Sequence, residues 1–249
     1  MIADPVVYLI ASVAVGCLGL SKGGFIGFGL IATPLLALAI PPLESAAILL
    51  PIMLTQDVFS AWSFRRDWDC RTLALMLPGS LSGVALAWVF AGYFDQRSVR
   101  VAIGMIGIAF AISHWSGLKI KTQSGGSGVF WGTMAGFTGT LANAGGPPFL
   151  VYAMSQALPK MTFVGTAAIF FFVLNATKLV PFFALGQFTY PNLAFSVVLL
   201  PLAIITNFAA IRLVHRMPSE AFYRVSYGLV FAISIGLLWQ GITQDGGKP

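Results

Sequence analysis

The chain has 249 residues, 57% of them hydrophobic and only 9% charged, where a soluble domain carries about 25% charged residues. So apolar a composition leaves almost no chain for a soluble domain and predicts an all-α integral membrane protein with many spans. The net charge of +6 is read as short basic loops that set topology, and excludes nucleic acid as a partner.

Met1-Ile2-Ala3-Asp4 lacks a basic region, which predicts no cleaved signal peptide. Ten apolar segments then follow: 5–20, 25–40, 43–64, 72–92, 98–116, 127–142, 147–158, 163–185, 191–213 and 221–241. Several have about 20 residues, enough to cross a hydrocarbon core of about 30 Å. The pairs 5–20/25–40 and 127–142/147–158 are shorter, and are predicted as short spans or as re-entrant hairpins. Irregular backbone at membrane depth requires protein or a water-filled cavity around it.

Between the first two segments lies Leu18-Gly19-Leu20-Ser21-Lys22-Gly23-Gly24-Phe25. Its double glycine lets the helix open and leave amides without intrahelical partners. Such amides at the start of the next helical piece would form an anion site, with Lys22 adding a full charge. The second break is Ala142-Asn143-Ala144-Gly145-Gly146-Pro147-Pro148. Proline suits a first helical turn, so a half-helix is predicted to start near Pro147, with Asn143 and the Gly145 and Gly146 amides facing a cavity. Thr138 and Thr140 lie about one turn earlier and could add hydroxyl donors. Paired broken helices in two halves point to a transporter's binding site, and the two breaks are expected to meet near the midplane. No acidic residue lies in either break, so Lys22 would take an anionic solute as its counterion.

Alternating the loops puts Arg65, Arg66, Arg71, Lys119, Lys121, Lys160, Arg216 and Arg224 on one side, and Arg97, Arg100 and Lys248 on the other. The richer side is read as cytoplasmic, with both termini outside a cell (inner) membrane. Internal matches recur at a near-constant offset: Gly23-Gly24 with Gly145-Gly146, Leu77-Pro78 with Leu200-Pro201, and 95–100 with 218–223. Five segments per half is an odd number, so the halves 1–118 and 119–249 are predicted to form an inverted five-plus-five repeat.

Asp57 and Lys178 are the other intramembrane charges, at nearly the same position in the two halves. Inversion would set them on opposite sides of the midplane, roughly 10 Å apart at helical rise. Charges at that depth normally face the bundle interior. Asp57 is the candidate proton carrier, with Lys178 and Asn175 as further anion contacts; the alternative is a structural Asp57–Lys178 pair. Gly79/Gly83 and Gly132/Gly136 have GxxxG spacing and are read as close helix packing. Cys17 and Cys70 should lie at different depths, and no His cluster is present, so no disulfide, metal or cofactor is expected. There is no Walker A loop.

Two apolar halves, each opening with a glycine-rich break followed by an apolar run, resemble the TauE/SafE family of sulfite and organosulfonate exporters. The resemblance spans essentially the whole chain and implies sulfur-anion transport, outward. The anion preference also follows from the breaks themselves. The expectation is therefore a secondary transporter that binds a small anion through Ser21, Lys22, Gly23, Gly24, Thr140, Asn143, Gly145, Gly146, Asn175 and Lys178. An anion channel or an accessory membrane protein is the alternative. An enzyme is not expected, because acidic residues and histidines are few and lie mostly in loops.

Overall fold

In the computed structural model, residues 5–90, 96–116 and 125–243 are described. The predicted topology charges Lys119, Lys121 and Lys248, and Asp95 of the repeat match, lie outside them. The helices are α1 (Pro5–Lys22), α2 (Gly29–Leu36), α3 (Pro42–Ser63), α4 (Cys70–Phe90), α5 (Gln96–Trp115), α6 (Gly125–Ala142), α7 (Gly146–Ser155), α8 (Lys160–Ala184), α9 (Tyr190–Arg216) and α10 (Ser219–Thr243), with a 3-10 turn at Ile26–Phe28 before α2. Each apolar segment of the sequence thus holds one α-helix, and no strand occurs among the described residues.

Among the described residues, five of these helices are long and apolar enough to cross a membrane: α1, α3 from Glu44 onward, α4, α8 and α9. By contrast, α2 and α7 have 8 and 10 residues, or about 12 and 15 Å at helical rise. In each predicted short pair, then, the first member has 18 residues and the second is cut down by its break.

Two compact units divide the chain: Met1–Trp68 with Val164–Pro218, and Asp69–Phe163 with Ser219–Pro249. Each takes segments from both predicted halves.

In the first unit, an apolar core joins α1 (Val7, Ala11, Ala14, Val15, Leu18), the 26–40 stretch (Ala32, Leu36, Ile40), α3 (Ala47 to Met53), Phe182 of α8 and Phe195, Leu199 and Ala203 of α9. Contacts along the helices give their directions. Ser196, Ala203 and Asn207 of α9 bond in order to Ile48, Gln56 and Ser60 of α3. Tyr8 of α1 packs on Phe195, Gly19 abuts Thr206 and Gly23 abuts Ala210. So α1, α3 and α9 run the same way. Asn175 of α8 meets Asp57, while Gly165 at its start abuts Asp67 beyond the end of α3; α8 therefore runs the other way.

In the second unit, α4 and α6 pack through their glycines. Gly79 and Gly83 abut the Val129 and Thr133 carbonyls, and Gly132 and Gly136 abut those of Met76 and Ser80. This is the backbone-to-backbone approach that the GxxxG spacing predicts, and it makes α4 and α6 parallel. Gly104 and Gly107 of α5 face Leu238 and Ser234 of α10 in descending order, so that pair is antiparallel.

Candidate functional site

Three helices of the first unit bring their polar side chains to one buried place. Lys22 ends α1, Asp57 lies in the second half of α3, and Asn175 and Lys178 stand one turn apart on α8. The Lys22 Nζ is 2.8 Å from Asp57 Oδ1, and the side chains are 8% and 0% exposed. Asn175 Nδ2 donates to Asp57 Oδ2 at 2.7 Å. The Lys22 ammonium also lies 5.2 Å from the centre of the Phe171 ring, a cation–π distance. Lys178 is 3% exposed and stands one turn beyond Asn175 on α8.

Neutral groups fix this arrangement. Ser60 Oγ donates to the Lys22 carbonyl at 2.8 Å and accepts from Asn207 Nδ2 at 2.9 Å. Gln56 Nε2 donates to the Ala203 carbonyl at 3.0 Å. Ser60 thus ties the end of α1 to α3 and α9 together. Ser60→Ala should leave the Lys22 carbonyl and the Asn207 amide short of a partner and cost about 1–3 kcal/mol. Denaturant titration of the purified variant checks this, and an unchanged midpoint would mean that water replaces the hydroxyl.

Several expectations need correction here. The first break does not free its amides. Gly23 N–H donates to the Gly19 carbonyl at 2.9 Å, Gly24 N–H to Ser21 at 3.1 Å and Phe25 N–H to Leu20 at 3.0 Å. Gly24, at φ +135°, adopts the conformation that closes a helix C-terminus, where glycine is favoured because it lacks a Cβ. Ser21 Oγ donates onward to the Ile26 carbonyl at 3.0 Å. Lys22 therefore sits at the negative end of the α1 dipole, where a cation is stabilised. Nor does Lys22 lack a protein counterion, since Asp57 supplies it from 35 residues away. That pairing also differs from the Asp57–Lys178 pair that the repeat alignment offered.

At the second break, in the other unit, α7 starts at Gly146, beside the half-helix start expected near Pro147. Asn143, at φ +50°, ends α6 in a left-handed turn and is half-buried. Ala144 N–H donates to the Thr138 carbonyl at 3.1 Å, and Thr138 Oγ1 donates to the Ala144 and Met134 carbonyls. Gly145 caps α7, whose first turn carries Pro147 and Pro148. Because neither proline has an N–H, the amides at this helix start come from Gly145 and Gly146. The Thr140 hydroxyl donates to the Gly136 carbonyl at 2.8 Å, so its proton is spent on its own helix rather than on a solute.

The family model described as "Sulfite exporter TauE/SafE" matches residues 9–237. The chain belongs to the TauE/SafE family. Membership makes it a membrane transport protein of a sulfite exporter family. Among the described residues, no cluster of metal-ligating side chains occurs. No curated protein and no solved structure gives a match. Sequence reasoning flagged Lys22, Asp57, Asn175 and Lys178 one by one in this TauE/SafE chain, but missed Ser60 and Asn207. Asn175 stands out because it lies one turn before Lys178, whereas Asn207 is an amide in a long apolar run with no such charge one turn away. Ser60 carried none, because serine is common in membrane helices.

Proposed function

We propose that this TauE/SafE protein is a secondary transporter that moves a small anion, sulfite or an organosulfonate, outward across the cytoplasmic membrane. The observation that carries the reading is the buried Lys22–Asp57–Asn175–Lys178 cluster. Ionisable groups within a membrane bundle are costly and mark substrate or ion paths. A buried ion pair contributes no more stability than apolar side chains of similar volume would, so stability does not explain its presence. Two lysines against one carboxylate favour an anion over a cation. Lys22, Lys178 and the Asn175 amide are the proposed anion contacts, and Asp57 the group that carries a proton.

Asn143 with the Gly145 and Gly146 amides is proposed as a further anion contact in its own unit, at the positive end of α7. Ser21, Gly23, Gly24 and Thr140 serve the backbone around the breaks. Two features support the inverted repeat. Pro78 lies inside α4 and Pro201 inside α9, the fourth helix of each half. The first helix of each half packs in parallel on the fourth helix of the other, α1 on α9 and α6 on α4. Both termini are placed outside by the basic loops.

A thermal-shift screen of the purified protein tests the reading. Sulfite, taurine, sulfoacetate, isethionate, thiosulfate and simple carboxylates would be compared with ammonium ions and neutral solutes of the same size. An anion at about 100 times its dissociation constant should stabilise by about 2.7 kcal/mol. Stabilisation by cations or neutral solutes alone would reject anion transport.

A further inference from the structure

The charges around Asp57 can be counted from every helix packed against it. Lys22 comes from α1, and buried Lys178 from α8, one turn beyond the Asn175 that bonds Asp57. From α9 come only neutral groups, Asn207 and the Ala203 carbonyl, while its Arg212 and His215 are exposed. Residues 26–40 contain no ionisable side chain. On α3 itself, Glu44 lies 13 residues earlier, about 20 Å along the helix, and Arg65, Arg66 and Asp67 are exposed beyond its end. With both lysines protonated, two lysines and one carboxylate give the cluster a formal charge of +1.

We infer that this charge sets both the valence of the anion and the number of protons that travel with it: a monoanion binds alone, and a dianion binds only together with one proton, taken by Asp57. The inference rests on the transport reading above and adds a specificity rule to it. A monoanion brings the buried charge to zero. A dianion would leave one uncompensated negative charge among apolar side chains, which is strongly unfavourable. One proton on Asp57 restores the balance.

The geometry suits that proton. Asp57 Oδ2 already accepts the Asn175 amide, and this bond survives protonation. Oδ1 faces Lys22; once it carries the proton, the Lys22 ammonium loses its internal anion and turns to the solute. Asp57 thus converts the binding of a second negative charge into the release of Lys22 from its salt bridge.

Isethionate and sulfoacetate test the rule, since they share a two-carbon sulfonate frame and differ by one negative charge at neutral pH. Binding to the purified protein is measured by calorimetry in two buffers of different ionisation enthalpy, which counts the protons taken up. Sulfoacetate should take up one proton per site, with affinity falling about tenfold per pH unit as pH rises. Isethionate should take up none and bind with a flat pH profile. Lys178→Met lowers the cluster charge by one, so isethionate should now take up one proton. Asp57→Asn should abolish uptake with sulfoacetate and flatten its profile. The comparison of the two ligands on the parent protein needs no variant to fold. Equal proton uptake by both ligands on the parent protein would overturn the rule and leave anion transport standing. Failure of both to bind, with stabilisation only by cations or neutral solutes, would overturn the transport reading and the rule with it.

Discussion

Lys22→Ala is expected to destabilise the protein by about 3–5 kcal/mol, because it leaves the fully buried Asp57 carboxylate with Asn175 but without the ammonium 2.8 Å away. The double variant Lys22→Met/Asp57→Leu should recover most of that loss, since it removes both charges and fills their volume with apolar atoms. The same double variant should transport nothing. Stability measured by denaturant titration in detergent, with flux measured in vesicles, separates the two properties. A double variant as unstable as Lys22→Ala would mean that the pair holds the bundle together, and the argument that it is kept for function would fall.

The second large effect lies in the other unit. Gly83→Leu should cost about 3 kcal/mol or more, because any Cβ at Gly83 meets the Thr133 carbonyl and the Phe137 amide of α6. These are backbone atoms of a helix and cannot swing aside as a side chain can. Gly126→Leu, on α6 itself, is the control: nothing lies within 4 Å of a Cβ there, so stability should hold or rise slightly with the better helix former. Similar losses for both variants would show that glycine content, rather than helix approach, sets the stability.

The sequence makes the helices legible to within a few residues, because a membrane span must be both long and apolar. The segment 163–185 became Lys160–Ala184, and 191–213 became Tyr190–Arg216. The GxxxG stripes were equally readable, since only small residues let two backbones touch. The first break was harder. A double glycine after an apolar run fits an opened helix and a closed helix C-terminus alike, and only the hydrogen bonds of Gly23, Gly24 and Phe25 tell them apart. Proline removes that ambiguity at the second break, because Pro147 and Pro148 mark a helix start.

Pairing of charges was the least legible feature. Lys22, Asp57 and Lys178 each stood out as a charge in an apolar setting, but the repeat alignment set Asp57 against Lys178. Register between α1 and α3 decides the matter, and it depends on contacts such as Ser60 with the Lys22 carbonyl. No local pattern encodes such a contact.

The most direct test of the central claim is transport of labelled sulfoacetate in proteoliposomes containing either the parent protein or Asp57→Asn. The parent should show saturable counterflow and accumulation driven by a pH gradient. Asp57→Asn should keep the counterflow and lose the pH-driven accumulation. Absence of counterflow by the parent, or the same pH dependence in both proteins, would contradict an anion transporter whose proton is carried by Asp57.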